Sequence, residues 1–157
     1  MARQQPQSDV EPADTGSVEP ASANAELRVR ERLQQTLNKD QVAQRAGPGG
    51  TKLVYFPIEK AVEVANEIIG YNGWSSTVVH MDKDYETFAD NKWEISYTAQ
   101  VRVTLPGGVY HEDIGCGKGV SRQRYDAIDT ARKSASSDGL KRALRLFGNQ
   151  LGNNLRG

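Results

Sequence analysis

The sequence predicts an α+β domain in which a curved antiparallel sheet of consecutive strands (a β-β-β-α core) packs against one long helix. From Trp93 to Leu105, apolar residues occupy every odd position and polar residues every even one, which is the alternation of a half-buried strand. From about Tyr125 to Phe147, apolar residues recur at helical spacing instead. A chain of 157 residues is long enough for one such domain with its own core.

The first residues differ in composition from the rest. Residues 1–23 are rich in Gln, Pro, Ser, Asp and Glu and nearly free of large apolar side chains, so we expect a disordered acidic tail. Residues 24–157 are expected to form the domain. It begins with a helix over Ala25–Leu37, then a breaker-rich loop over Arg45–Lys52 and a short strand over Leu53–Phe56.

The middle of the chain alternates between helix and strand. A second helix starts at Pro57, which suits a helical first turn, and presents an apolar face as far as Ile69. Strands are then predicted over Trp74–Met81, over the long alternating segment, and over Val109–Ile114 after a Pro-Gly-Gly turn. Together they form an antiparallel meander of three or four strands, followed by the long helix.

The net charge of zero hides a strong asymmetry along the chain. Residues 1–26 contain five acidic residues against one arginine, a net charge of −4. Residues 118–145 contain eight basic residues against three acidic ones, a net charge of +5. A basic region of this kind is the electrostatic footprint expected of a nucleic-acid partner, whereas a solvated basic face is the alternative.

The composition argues against several other classes of protein. No apolar run approaches the ~20 residues that a membrane span needs, and the start of the chain lacks the apolar stretch of a signal peptide, so we expect an intracellular protein without a membrane partner. Cys116 is the single cysteine, which excludes an internal disulfide. His80 and His111 have no cysteine or histidine at the spacing of zinc ligands, and we expect no metal or cofactor.

Three features of the sequence resemble parts of enzymatic sites, and each has a simpler interpretation. Gly115–Ser121 is rich in glycine, but it lacks the GxxxxGK[ST] spacing of a phosphate-binding loop. Glu112 and Asp113 suggest a nuclease metal site, but neighbouring residues of a strand point to opposite faces and chelate poorly. Cys116 has no evident base beside it. The sequence therefore predicts a protein that is not an enzyme.

Basic residues and aromatic residues are the groups with which proteins hold single strands, through phosphates and base faces respectively. We assign Trp93 and Tyr97 to the core, because they lie on the apolar face of the long strand, and we also expect Trp74 to be packed. The basic candidates are Lys52, Lys60, Arg122, Arg124, Arg132, Lys133, Lys141, Arg142 and Arg145.

Four segments closely resemble motifs of the Rad52 (Rad52/Rad22) family of single-strand annealing proteins. They are SDGLKRALRLFGNQLGN at Ser137–Asn153, ANEIIGYNGWS at Ala65–Ser75, YHEDIG at Tyr110–Gly115 and ARK at Ala131–Lys133. They occur in the order of that family and at nearly its spacing, and the resemblance covers about residues 25–155.

This resemblance implies a homo-oligomer, a ring of about ten or more identical subunits. It implies that single-stranded DNA lies in a basic groove with its phosphates inward and its bases outward. The exposed bases can then pair with a complementary second strand without ATP. The implied function is annealing of complementary strands in homologous recombination and double-strand break repair. The compartment would be the nucleus in a eukaryote, or the cytoplasm or nucleoid in a bacterium or phage. A ring-forming adaptor that recruits protein partners is the alternative.

The resemblance also implies which residues contact DNA and which other molecules the protein binds. Lys141, Arg142 and Arg145 match groove-lining basic residues of the family, Arg45 matches a loop arginine, and Lys60 stands where relatives commonly have arginine. Arg132 and Lys133 match the family's Ala-Arg-Lys step, while Arg122 and Arg124 replace lysines of a neighbouring stretch. Duplex DNA, a recombinase and a single-strand-binding protein are further candidate partners, the last two through a long C-terminal region of eukaryotic members. This sequence stops at Gly157, so the expectation is limited to the annealing core.

Overall fold

A computed structural model of the chain describes residues 20–155 and has the predicted α+β architecture. The helices are α1 (Pro20–Gln34), α2 (Ile58–Ile69) and α3 (Arg124–Arg145), and the strands are β1 (Ala43–Ala46), β2 (Lys52–Tyr55), β3 (Ser75–Ala89), β4 (Lys92–Thr104) and β5 (Tyr110–Ser121). Single 3₁₀ turns occupy Pro48–Gly50 and Asn149–Leu151. Strands β3, β4 and β5 form an antiparallel sheet in sequence order, and α3 packs chiefly on β4 and β5.

The start of α1 differs from the prediction. The helix begins at Pro20, four residues before the expected start of the domain, and ends at Gln34 rather than Leu37. Leu37 still packs against the core from the loop that follows. Residues 1–19 lie outside the described part of the chain, so the disordered acidic tail stays a prediction.

The segment Arg45–Lys52, predicted as a loop, is largely a hairpin. Arg45 and Ala46 belong to β1, which pairs antiparallel with β2 so that Arg45 faces Leu53. Gly49 and Gly50 allow the turn, because their φ angles of 67° and 78° are in the region that favours glycine. Strand β1 was missed because its sequence, AQRA, has neither β-branched residues nor apolar alternation.

Strand β3 is about twice as long as predicted, because its second half is an edge strand with polar side chains. Beyond Met81 it continues to pair with β4, from Asp82 opposite Thr98 to Ala89 opposite Lys92. Asp90 and Asn91 close this hairpin with φ angles of 51° and 59°, the left-handed conformation that two-residue hairpins require.

Strand β5 continues beyond Ile114, where the predicted strand ended, through the glycine-rich segment to Ser121. Its glycines at 115, 117 and 119 face α3, and a Cβ added to any of them would lie less than 3.0 Å from backbone atoms of the helix. The opposing helix positions are also small: Ala127, Ala131, Ala135 and Gly139. Two residues of strand rise about 6.6 Å and four residues of helix about 6 Å, so the two sets of small residues stay opposite each other along the contact. We call this backbone contact the glycine ladder.

The hydrophobic core has two parts. The larger one joins α1, α2, β2 and the end of α3 through Leu33, Phe56, Ile68 and Leu144, together with Leu151. The smaller one lies between β4 and α3, around Ala99, Val101 and Ala135.

Two of the three aromatic side chains assigned to packing contact the core. Trp74 packs against the larger part, where its Nε1–H donates a hydrogen bond to Asn66 Oδ1 at 2.8 Å. Tyr97 packs against the smaller part. Trp93 instead lies half-buried beside Phe88, with ring centroids 4.9 Å apart, so its assignment to the core is wrong. Strand β4 begins there, at the edge of the helix-covered region.

Two amides tie the segment after α3 to the end of α1. Asn149 Nδ2 donates to the carbonyl oxygen of Gln34 at 3.2 Å, and the buried Gln150 donates to that of Thr36 at 2.6 Å. Along the chain these partners are 115 and 114 residues apart. We call this pair of contacts the amide clasp, and it closes the larger core around Leu151.

Candidate nucleic-acid interface

Four of the predicted basic residues line one open groove of about 350 Å³ between the β1–β2 hairpin and the C-terminal half of α3. We call it the hairpin groove. Its basic residues are Arg45 from β1 and Lys141, Arg142 and Arg145 from α3. The fold thus brings together residues that are 96 or more positions apart in the sequence.

The helix supplies three of these cations from its last two turns. Lys141 and Arg145 are four residues apart and therefore lie above one another on one face of α3, with Arg142 beside them. All three side chains are between 36% and 40% exposed, so their stems are covered while their charged ends reach solvent. Basic residues are also favoured here by the partial negative charge at the end of a helix.

The hairpin supplies the opposite wall. Arg45 and Tyr55 are diagonal neighbours on one face of the hairpin, and the guanidinium carbon of Arg45 lies 5.6 Å from the centre of the Tyr55 ring. Leu53 and Phe56 add apolar surface to the same wall. The place of Tyr55 beside Arg45 depends on β1, which was not predicted.

Two carboxylates accompany the cations, which sequence reasoning did not foresee. Asp138 lines the hairpin groove, and its Oδ1 lies 4.0 Å from Lys141 Nζ. Asp113 on β5 reaches both arginines of α3, with its Oδ1 3.4 Å from Arg142 Nε and its Oδ2 3.6 Å from Arg145 Nη2. Asp138 thus belongs to the lining of the groove, whereas Asp113 contacts two of its arginines from β5, and together they set two negative charges against four positive ones.

Arg132 and Lys133 lie elsewhere, in a second open groove of about 640 Å³ between β3 and the first half of α3. We call it the strand groove. Its floor includes Val78 and Met81, because α3 barely touches β3 and leaves this part of the sheet uncovered. Arg132 Nε donates to the sulfur of Met81 at 3.4 Å, while Lys133 pairs with Asp129 at 2.6 Å.

Arg124 is held in a cluster at the start of α3. Its guanidinium forms a two-point contact with the Glu86 carboxylate, one of them an Nη2–Oε2 hydrogen bond of 3.0 Å, and its carbon lies 5.7 Å from the Trp93 ring centre. Lys83 Nζ contacts the same carboxylate at 2.6 Å. Hydrogen bonds from Arg124 and then Lys83 lower the pKa of Glu86 from 4.5 to about 2. Arg124 thus fastens the helix to β3.

This cluster predicts how stability depends on pH. The folded protein holds the Glu86 carboxyl at a pKa of about 2, below its ordinary value of 4.5, so the stabilisation is present above 4.5 and is lost as the pH falls toward 2. Thermal melting followed by circular dichroism should show that Glu86→Gln depends less on pH than the wild type in this window. The matched control is Glu63→Gln, in an exposed pair with Lys60, which should follow the wild-type curve. A Glu86→Gln curve parallel to the wild type would contradict the assignment.

The remaining predicted residues line neither groove. Lys60 is exposed on α2 and contacts Glu63 at 2.7 Å, which raises its pKa. Lys52 is exposed at the start of β2, and Arg122 is exposed in the turn before α3. Their contact with DNA stays a prediction.

The acidic pair Glu112 and Asp113 divides between the two faces of the sheet, as predicted. Glu112 accepts hydrogen bonds from Gln100 at 2.7 Å and Arg102 at 2.6 Å on the face away from α3, and these bonds lower its pKa. Asp113 lies on the other face. Within residues 20–155 no cluster of three or more His, Cys, Asp or Glu side chains has the arrangement of a metal site, and no helix is long and apolar enough to cross a membrane.

Comparison with known proteins finds a family model and several relatives that match most of the chain. A family model described as "Rad52/22 family double-strand break repair protein" matches residues 26–157. The chain is 38% identical over 143 residues to the DNA repair and recombination protein rti1 of Schizosaccharomyces pombe, covering 89% of this chain and 38% of that protein. It is 39% identical over 144 residues to rad22 of the same yeast, covering 89% and 31%. It is 38% identical over 141 residues to RAD52 of Saccharomyces cerevisiae, covering 89% and 30%. The chain spans about a third of the length of these relatives.

Proposed function

Since this chain belongs to the Rad52/22 family of double-strand break repair proteins, we propose that it binds single-stranded DNA in the hairpin groove and promotes ATP-independent annealing of complementary strands. This activity would serve homologous recombination and double-strand break repair. Duplex formation supplies the free energy, so the protein needs no covalent chemistry and is not an enzyme. In a eukaryotic cell it would act in the nucleus.

The observation that carries the proposal is the convergence of Arg45, Lys141, Arg142 and Arg145 on one open groove. Phosphates give affinity without sequence preference, which an annealing protein needs in order to accept any strand. Arginine adds two-point hydrogen bonding to phosphate oxygens, and the lysine adds a mobile charge. If the phosphates occupy the groove, the base edges stay free to pair with a second strand.

We also propose that the subunits assemble into a ring. Large apolar side chains are exposed on both faces of the sheet: Val78 and Phe88 on the face toward α3, and Ile114 and Val120 on the other. Exposed apolar strips of this kind are typical of surfaces that a protein partner covers. A ring would join the hairpin grooves of successive subunits into one continuous track. Native mass measurement with and without single-stranded DNA tests this, and a monomer in both conditions would contradict it.

The experiment that tests the function is a fluorescence annealing assay with two complementary oligonucleotides and no ATP. We expect the protein to accelerate pairing well beyond the spontaneous rate, and to do so equally for unrelated sequences. No acceleration would contradict the annealing proposal. Absence of oligonucleotide binding at every salt concentration would favour the adaptor alternative, in which the exposed surfaces recruit a protein such as a recombinase or a single-strand-binding protein.

A further inference from the structure

The two carboxylates that contact the cations of the hairpin groove are held in place by the edge strand β5. The backbone N–H of Ile114 donates to Asp113 Oδ1 at 2.8 Å, and that of Cys116 donates to Asp138 Oδ2 at 3.2 Å. Asp113 is only 21% exposed. Each carboxylate is therefore tied to β5 by one oxygen and cannot swing freely into solvent.

The glycine ladder explains why Asp113 lies beneath the cations. Gly119, Gly117 and Gly115 follow α3 toward its C-terminus, and Asp113 is the next residue of β5 on the same face. Beyond the glycine ladder, Asp113 is the first residue on this face of β5 that carries a side chain. The helix turn that it meets is the one that carries Arg142 and Arg145.

The ion pairs at the groove are longer than most ion pairs elsewhere in residues 20–155, although Lys118 and Glu94 are also 3.6 Å apart. The three nitrogen–oxygen distances from Asp113 and Asp138 to their cations are 3.4, 3.6 and 4.0 Å. By contrast, Lys133 pairs with Asp129 at 2.6 Å and Arg102 with Glu112 at 2.5 Å. Charge-assisted hydrogen bonds usually measure about 2.7–2.9 Å, so the groove cations keep most of their donors free.

We propose that Asp113 and Asp138 are built-in counter-charges that limit how tightly the groove holds a DNA strand. This inference rests on the proposed function. The carboxylates reduce the formal charge of the groove from +4 to +2 and repel phosphates that approach the same cations. Annealing requires that a bound strand be passed on into a duplex, and a groove of four uncompensated cations would release it slowly.

The test uses Asp113→Asn and Asp138→Asn, because asparagine keeps the shape and an oxygen that accepts the β5 amide but removes the charge. Affinity and dissociation rate are measured with a fluorescent oligothymidine by anisotropy and stopped flow. We expect each variant to bind about three- to tenfold more tightly and to release the strand correspondingly more slowly. The matched control is Glu67→Gln, which removes the exposed carboxylate that pairs with Arg32, lines neither groove, and should change the affinity less than twofold.

Unchanged or weaker binding by both variants, with melting temperatures like the wild type, would overturn the proposal. Weaker binding would mean that the carboxylates position the cations of the groove instead. If one variant is unstable, the other carries the test. A wild type that does not bind oligothymidine refutes the proposed function itself. A wild type that binds through Lys141 and Arg142, with aspartate variants of equal affinity, refutes only this inference.

Discussion

Replacing Lys141 and Arg142 together by alanine is expected to weaken the binding of single-stranded DNA about 10- to 100-fold, equally for unrelated sequences. Both side chains reach solvent in the hairpin groove, and each charge-assisted hydrogen bond to phosphate contributes about 1.5–3 kcal/mol before screening by salt. The slope of log affinity against log salt concentration should become shallower by about 1.4, since two phosphate contacts on a single strand are lost. Fluorescence anisotropy over a salt series measures both quantities.

A matched control for this double variant is Arg28→Ala with Lys39→Ala. Both residues are exposed and line neither groove, and their removal changes the net charge by the same amount. The control should keep the wild-type salt slope and lose little affinity. Equal losses in the two double variants would show that net charge alone governs binding, and wild-type affinity after loss of Lys141 and Arg142 would refute the groove assignment.

Gly117→Ala is expected to destabilise the fold by about 3 kcal/mol or more. The added methyl would lie less than 3.0 Å from Ala131 O, Ala135 N and Ser134 Cβ, and neither the strand nor the helix backbone can yield without disturbing its neighbours. In a domain of this size that corresponds to a melting temperature lower by about 6–12 °C. Thermal unfolding followed by circular dichroism measures it.

The neighbouring substitution Cys116→Ala is the control for this prediction. Cys116 lies on the same strand but faces solvent, with only a weak contact of its sulfur to Thr98 at 3.8 Å. Its loss should change the stability by about 0.5 kcal/mol or less. A Gly117→Ala protein that melts like the wild type would mean that α3 and β5 are not in backbone contact.

The sequence reveals elements whose side chains alternate between core and solvent. Strand β4 and helix α2 were predicted to within about two residues, because one face of each is buried and the other exposed. Strand β5 was predicted only as far as Ile114, because glycines replace the apolar residues where the strand lies directly on a helix backbone. The polar second half of β3 and the short β1 are edge or hairpin strands whose pairing partners, rather than their own residues, define them.

The candidate site was only partly predictable for a related reason. The basic turn of α3 is visible locally, and family resemblance added Arg45. The separation of the hairpin groove from the strand groove, and the capture of Arg124 by Glu86, depend on contacts between elements far apart in sequence. Asp113 was assessed as a metal ligand, and its proximity to two arginines follows from the packing of β5 on α3.

The amide clasp has a consequence for how the molecule folds. Strands β3 to β5 and helix α3 are consecutive, so they can associate through contacts between nearby residues, which form rapidly. The clasp joins segments 114 and 115 residues apart and must close a far longer loop, at a larger cost in chain entropy. The segment from α1 to β2 is therefore expected to dock last and to detach first, and Arg45 moves with it. The hairpin groove would then be complete only in molecules in which the last folding step has taken place.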